Sequence, residues 1–138
     1  MEEIYQIAYA EEPAWDVIGP AISQYNKQQG GDDRAQSLCF VLRAPDQEIV
    51  GGIIGGTYWD WFQLDLLWIR EDLRGRGYGH RLLIAAEEEA RRRGARHVHL
   101  DTFTFQAPDF YQRHGYEVFG ALPDYPAGHT RYYMRKDL

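Results

Sequence analysis

Apolar residues recur with a helical period in two parts of the chain. In the first part they lie three or four positions apart, which predicts an amphipathic helix over residues 14–28, beside Pro13. In the second part they mark one face of a helix over residues 78–93, and Gly94 is suited to its C-terminal end. The two apolar faces consist of Trp15, Ile18, Ile22 and Tyr25, and of Leu82, Leu83, Ala86 and Ala90.

Short runs rich in β-branched and aromatic residues predict strands around these helices. Pro108 opens a third helix, a short one through residue 114. The strand–helix–strand segment over residues 61–102 predicts a right-handed crossover between two parallel strands. The pattern therefore predicts an α/β or α+β fold on a mixed sheet, in a single domain over residues 1–138. The predicted strands are residues 3–10, 37–44, 48–58, 61–70, 95–102, 115–122 and 130–136.

The composition is typical of a globular domain. Hydrophobic residues make up 44% and charged residues 26% of the 138 residues. No apolar stretch approaches the roughly 20 residues of a membrane span, and the acidic start lacks the apolar run of a signal peptide. Cys39 is the single cysteine, which excludes an internal disulfide and favours a cytoplasmic location. Its apolar neighbours predict that it is a buried core residue.

Charge is distributed unevenly along the chain. The net charge is −6, with −9 in residues 1–73 and +3 in residues 74–138. An acidic chain binds nucleic acid poorly, because affinity without sequence specificity comes from cations that meet phosphates. A basic half beside an acidic half could still seat an anionic cofactor next to a cationic substrate.

The second helix carries three acid–base pairs at i,i+4 spacing. Each pair has its acid on the N-terminal side, which is the more stabilising orientation. We therefore expect a solvated helix face that stabilises itself rather than a docking patch. The pairs are Glu87 with Arg91, Glu88 with Arg92 and Glu89 with Arg93.

A glycine-rich loop joins a predicted strand to this helix, within "REDLRGRGYGHRLL" (residues 70–83). The first N–H groups of a helix lack internal partners, and its dipole favours anions there, so the loop is suited to phosphate. Glycines permit positive φ and remove side chains, while Arg74 and Arg76 add guanidinium donors. The loop lacks the Lys-Ser/Thr of a P-loop and the spacing of a dinucleotide fingerprint. By itself the loop leaves a simple turn as an alternative.

Two motifs together make the chain similar to the GNAT N-acetyltransferase family. "RGRGYG" resembles that family's acetyl-CoA loop, [QR]-x-x-G-x-[GA], and the preceding segment resembles its fourth strand. About 30 residues on, a second signature, A-x-x-[FL]-Y-x-x-x-G-[FY], is matched by Ala107, Phe110, Tyr111, Gly115 and Tyr116. The resemblance covers about residues 48–136. Thr104 departs from it, where family members often have Asn, and this leaves a polar contact to the cofactor arm open.

The resemblance implies a mostly antiparallel sheet of about six or seven strands, flanked by helices, with a central parallel pair. It also implies acetyl-CoA as cosubstrate. The pyrophosphate would lie on the loop, the pantetheine arm on the fourth strand, and a tyrosine after the fifth strand would be the general acid. The residues implied for the cofactor are Leu67, Trp68, Ile69, Arg74, Gly75, Arg76, Gly77, Tyr78, Gly79 and Tyr111.

The chemistry of amine acetylation requires a base, a carbonyl-oxygen donor and an acid. Tyr111 is the expected acid; the alternative is an aromatic core residue, and Tyr116 is the weaker substitute. Asp65 in the fourth strand is the expected base, with a structural carboxylate as the alternative. His99 and Asp101 share a strand face with His97 by period-two spacing and are reserve bases, and water remains an option. No further ligand accompanies these histidines at a metal-binding spacing, so we expect no metal.

The acceptor is expected to be a primary amine of a small molecule. In similar enzymes its pocket is built by the first helix, the turn before the fourth strand and the last loop. Aromatic rings with a carboxylate could hold a cation there, although the tryptophans could instead pack internally or make a dimer contact. A protein amino group, a non-catalytic acyl-CoA sensor and an interaction protein remain alternatives, and a homodimer is left open. The residues expected in the pocket are Tyr25, Trp59, Asp60, Trp61 and Tyr125.

Overall fold

The computed structural model describes residues 3–138, which fall into two compact units divided after Asp33. In the first unit, helix α1 spans Trp15–Gly30 and none of its side chains is buried. Residues 3–14 form neither helix nor strand, so the strand predicted over residues 3–10 is wrong. The apolar residues of that segment do not strictly alternate, and a strand also needs a partner for its backbone hydrogen bonds.

The second unit is built on a six-stranded sheet with the strand order β1-β2-β3-β4-β6-β5. All neighbours are antiparallel except β3 and β4, which are parallel and joined through helix α2. This confirms the predicted fold class, and the predicted boundaries of its elements hold to within two residues. The elements are β1 (Gln36–Arg43), β2 (Ile49–Tyr58), β3 (Trp61–Ile69), α2 (Tyr78–Arg92), β4 (His97–Phe103), α3 (Pro108–Arg113), β5 (Glu117–Pro123) and β6 (Thr130–Asp137).

The core of this unit lies on one face of the sheet, which we call the core face. The apolar stripe of α2 is buried there against alternate residues of the central strands, as period-two strand geometry requires. In β4, for example, Val98 and Leu100 are buried on the core face. The side chains of His97, His99 and Asp101 alternate with them and therefore belong to the second face of the sheet.

The same alternation corrects the prediction for Cys39. In β1, Leu38 is buried in the core and Cys39 is exposed, so the prediction of a buried cysteine is wrong. An unbroken apolar run conceals the alternation, because every position in "LCFVL" is apolar regardless of the face that it occupies.

Strand β3 carries a bulge at Asp65. Ile54 pairs with Leu66 and Gly55 pairs with Leu64, which leaves Asp65 as the extra residue. A Cβ on Gly55 would lie 2.1 Å from the Gln63 carbonyl oxygen, so only glycine permits this close approach. Bulges of this kind bend a strand, and this one lies two residues beyond Gln63, the last residue of β3 that pairs with β4.

Candidate active site

The glycine-rich loop bares the N-terminus of α2. Gly75 and Gly77 have φ values of +74° and +86°, and Gly77 is the N-cap of the helix. No atom lies within 4 Å of a Cβ built on either glycine. No side chain caps the helix within the described residues, and its first turn carries no acidic residue. The N–H groups of that turn are therefore available to an anionic group from outside the chain.

The arginines of the loop have different surroundings. The Nε of Arg74 donates to the backbone oxygen of Ile69 over 2.9 Å, so Arg74 ties the loop to the end of β3. The side chain of Arg76 is exposed and places a positive charge at the loop. Both cations lie close in sequence to the bared helix end, which adds to its positive potential.

Strands β3 and β4 separate beside this loop. They pair only from Trp61 with His97 to Gln63 with His99. On its other side β3 stays paired with β2 as far as Ile69. The edge of β3 over residues 64–69 therefore lines a cleft, which we call the splay, and it contains the predicted Leu67, Trp68 and Ile69. Free strand N–H and C=O groups of this kind bind a ligand arm that carries amides.

Tyr111, the predicted acid, lies in α3 and is 6% exposed. Its ring meets Phe110 and Tyr116 edge-on, at centroid distances of 5.2 and 5.6 Å. Burial, followed by the charge of Asp101, raises the pKa of Tyr111 to about 12. The phenol therefore keeps its proton at neutral pH and has the state that a general acid requires.

Three titratable side chains of the second face interact at the start of the splay. Asp65 is exposed and accepts a hydrogen bond from Gln63 Nε2 over 2.8 Å. Burial lowers the pKa of His99 below its ordinary value, and the charges of Asp65 and Asp101 oppose that shift. His99 is therefore neutral at pH 7 and can accept a proton, with two carboxylates near enough to stabilise its cation.

The sequence analysis missed Arg131, which organises the far end of this face. Its guanidinium donates to Asp101 Oδ2 over 2.9 Å from Nε, and the Nη2–Oδ2 distance is 2.8 Å. The Tyr125 hydroxyl accepts from its Nη1 over 3.1 Å, and the Tyr125 ring centroid lies 5.0 Å from the guanidinium carbon. The rings of Phe103 and Tyr133 lie at 5.4 and 5.3 Å. Strand alternation in "TRYYMRK" could have placed Arg131 on the face of Asp101.

A cavity of about 340 Å³ lies on the second face at the paired end of β3 and β4. Its lining consists of Trp61, His99, Phe119 and Arg135. The Arg135 guanidinium lies 5.2 Å from the Trp61 ring centroid and donates to Asp137 over 2.9 Å. The cavity thus presents aromatic walls together with the neutral imidazole of His99.

The predicted acceptor residues of the second unit do not lie in one pocket. Trp59 and Asp60 form the turn at the N-terminal end of β3, where the Asp60 carbonyl accepts from Arg96 and His97. Tyr125 lies in the loop at the opposite end of β4, about 20 Å away at the rise of a strand. Trp61 lines the cavity with His99. Tyr25 belongs to α1 in the first unit and is exposed.

Residues 3–138 contain neither a metal-binding cluster nor a membrane-spanning helix. No group of three or more His, Cys, Asp or Glu side chains is arranged to hold a metal ion. None of the helices in that range combines the length and the apolar character that a bilayer crossing requires.

A bared helix N-terminus beside a splayed parallel strand pair is suited to an acyl carrier that has a diphosphate and an amide-bearing arm. This combination is what an acyltransferase requires. Residues 1–116 match the model of the acetyltransferase (GNAT) family, and the chain belongs to that family. Its cosubstrate is acetyl-CoA, and the glycine loop and the β3 edge supply groups that fit it.

Similar proteins carry the same family character. The chain is 44% identical over 92 residues to a blasticidin-S acetyltransferase from Streptomyces morookaense. The alignment covers 66% of this chain and 68% of that protein. It is 32% identical over 127 residues to the acetyltransferase Atu2258 of Agrobacterium fabrum. That alignment covers 92% of this chain and 93% of the relative. The crystal structure of an acetyltransferase from Bacillus cereus superposes with a TM-score of 0.89 at 32% identity, covering 97% and 98% of the two chains.

Proposed function

We propose that the protein transfers the acetyl group of acetyl-CoA to a primary amine of a small molecule, by direct attack of the amine on the thioester. The observation that carries this proposal is the splay, which has the bared end of α2 beside it and His99 and Asp65 at its start. Asp101, which follows His99 on the same strand face, also acts on Tyr111 through its charge. The match to the acetyltransferase family extends across both units of the chain, which supports one acetyltransferase domain.

His99 is the base that these surroundings favour. An alkylammonium near pKa 10 must lose a proton before its nitrogen can attack a carbonyl. His99 is neutral, half-buried and within the electrostatic influence of Asp65 and Asp101. It can therefore take the proton directly or through water, while Asp65 attracts the ammonium and stabilises the imidazolium. In this proposal Asp65, which the sequence suggested as the base, is instead the electrostatic partner of His99.

Tyr111 completes the proton balance on the other side of the reaction. The new N–C bond forms as the C–S bond breaks, and the carbonyl oxygen that gains charge is stabilised by a backbone N–H of the β3 edge. The departing sulfur takes the phenol proton of Tyr111, which returns from solvent in the next cycle. The hydroxyl of Tyr116 is already engaged with Glu87 over 2.7 Å, which favours Tyr111 over Tyr116 for this role.

The acceptor binds on the second face, between the cavity at Trp61 and the aromatic residues around Arg131. An amine on a planar or apolar body suits this surface, because rings form its walls and Asp65 is exposed to attract an ammonium. One relative acts on blasticidin S, so we propose an amine antibiotic as the substrate class.

Release of free thiol from acetyl-CoA tests this function. The assay uses a panel of amine antibiotics that includes blasticidin S, polyamines, amino sugars and a peptide with a free N-terminus. We expect rapid thiol release with at least one small amine and a singly acetylated product by mass spectrometry. Thiol release with the peptide and with none of the small amines would indicate that the acceptor is a protein amino group instead of a small molecule. Binding of acetyl-CoA without turnover on any amine would contradict the proposal.

Tyr111→Phe tests whether Tyr111 acts as the general acid and not only in binding acetyl-CoA. We expect kcat to fall about 10²-fold or more, the size of a general-acid contribution, while the Kd for acetyl-CoA stays unchanged. Wild-type kcat in this variant would remove Tyr111 as the acid and leave the acetyl transfer itself standing.

A homodimer and a cytoplasmic location remain predictions from the sequence. Light scattering coupled to size-exclusion chromatography gives the mass in solution. Twice the 16.1 kDa of one chain would support the homodimer that the sequence leaves open, and the mass of a single chain would contradict it.

A further inference from the structure

One carboxylate in the core of the second unit takes no part in the chemistry described above. Glu87 lies in the middle of α2 and is 1% exposed. The sequence analysis placed it on a solvated face with Arg91, which is wrong, because the apolar stripe of α2 turns position 87 inward beside Ala86 and Ala90. Burial of a charge is costly unless partners compensate it, so its partners indicate what it does.

Glu87 holds two groups from other elements. Its Oε2 accepts a hydrogen bond from the Tyr116 hydroxyl over 2.7 Å. The Nζ of Lys136, in β6, lies 3.1 Å from both carboxylate oxygens and 5.5 Å from the Tyr116 ring centroid. Burial and the charge of Glu87 raise the pKa of Tyr116 strongly, so the phenol stays protonated and remains the donor.

Tyr116 is also attached directly to Tyr111. Its backbone N–H donates to the Tyr111 carbonyl over 3.0 Å, and the two rings meet edge-on at 5.6 Å. Gly115 between α3 and β5 has a φ of +89°, which permits the tight turn that makes this contact. Tyr116 is thus held at one end by the residue proposed as the acid and at the other end by α2.

We propose that Glu87 is a positioning residue for catalysis, which acts through Tyr116 on Tyr111. The N-terminus of α2 fixes the diphosphate of the cosubstrate, and the middle of the same helix fixes Tyr116 and, through it, α3. One rigid helix therefore sets the distance between the bound thioester and the acid. This inference rests on the proposed role of Tyr111.

Stability alone does not require this network. Replacement of a buried ion pair by apolar residues of similar volume is often neutral or stabilising, whereas removal of one partner alone is costly. The double variant Glu87→Leu with Lys136→Met removes both charges and keeps the volume. We expect it to fold with a moderately lowered Tm, because the buried Tyr116 hydroxyl loses its acceptor, a cost of about 1–3 kcal/mol.

The decisive readout is the split between kcat and cosubstrate affinity. In the double variant, and in Tyr116→Phe, we expect kcat to fall about tenfold, because a small displacement of a catalytic group is costly. We expect the Kd for acetyl-CoA to stay within about twofold, because the loop and the β3 edge are untouched. Tyr116→Phe in the double-variant background should cause no further loss, since the connection is already cut. Glu88→Gln, at the exposed neighbouring position, is the matched control and should retain wild-type kcat.

The variants distinguish failure of the positioning role from failure of the proposed acid. Wild-type kcat in both the double variant and Tyr116→Phe, with a slow Tyr111→Phe, would overturn the positioning role and leave the proposed function intact. Wild-type kcat in Tyr111→Phe would overturn the acid role and the positioning role together. If the double variant fails to fold, Tyr116→Phe, which removes one oxygen atom, decides the question.

Discussion

Substitution of Gly77 by alanine tests the anion-binding loop. Gly77 has φ +86° and ψ 1°, a left-handed conformation that costs a residue with a Cβ about 1–2 kcal/mol. No atom of the protein lies within 4 Å of the added Cβ, so backbone strain is the whole expected loss of stability. The added methyl would stand in the space from which a diphosphate approaches the helix end. Loss of one hydrogen bond to a charged group, about 1.5–3 kcal/mol, weakens acetyl-CoA binding roughly 10- to 150-fold.

Gly94 supplies the matched control for this substitution. Its φ is +95°, its Cβ position is equally open, and it follows the opposite end of α2. Gly94→Ala should therefore lower the free energy of unfolding by a similar amount, measured by urea denaturation. Isothermal titration calorimetry should show wild-type affinity for acetyl-CoA in Gly94→Ala and the loss only in Gly77→Ala. Equal affinities in the two variants would refute the assignment of the loop to the diphosphate.

Three further predictions concern the fold and the proton-carrying side chains. Gly55→Ala should destabilise the protein by about 1–3 kcal/mol in urea unfolding, because its Cβ would lie 2.1 Å from the Gln63 oxygen; an unchanged midpoint would contradict the packing at the bulge. Between pH 10 and 12 the folded state keeps the Tyr111 proton that the unfolded state releases, so this group should lower the stability as pH rises, by up to about 3 kcal/mol. Tyr111→Phe should remove that contribution and leave the one from Tyr116, whose pKa is also raised; an unchanged slope in the variant would contradict the shift at Tyr111. Activity should decline on the acid side as His99 protonates, below its ordinary pKa of 6.5; His99→Gln should abolish that limb of the kcat/KM profile, and an unaltered limb would assign the base elsewhere.

Much of the fold follows from local patterns in the sequence. Within residues 3–138, the six strands and the three α-helices were predicted, because their apolar periods, prolines and glycines agree with the positions that they take in the fold. The prediction of a strand over residues 3–10 was wrong, because a strand forms only with a partner strand, and no local pattern specifies that partner. Glu87 was misplaced for a related reason. The i,i+4 spacing shows which side chains can meet along a helix, but the orientation of the helix on its sheet decides which of them are buried.

The site was predictable where a motif carries its chemistry. The loop glycines and Tyr111 are found by their spacing in the sequence. The acceptor residues lack such a spacing, and the structure places Trp59 and Tyr125 at opposite ends of the sheet. The pairing of Asp101 with Arg131 was also hidden, because it joins residues 30 positions apart in sequence on adjacent antiparallel strands. In the proposed site, specificity for the acceptor would thus depend on tertiary neighbours, whereas recognition of the acyl donor would depend on one continuous segment.

Single-turnover analysis of the product distinguishes acetyl transfer to a small amine from every alternative reaction of acetyl-CoA. The purified protein, in excess over acetyl-CoA, is mixed with the best amine of the panel and quenched over time. We expect free thiol and N-acetylated amine to appear at the same rate and in equal amounts, and Tyr111→Phe to slow both. Thiol release without an acetylated amine, or no release from a protein that binds acetyl-CoA, would contradict acetyl transfer to the amine.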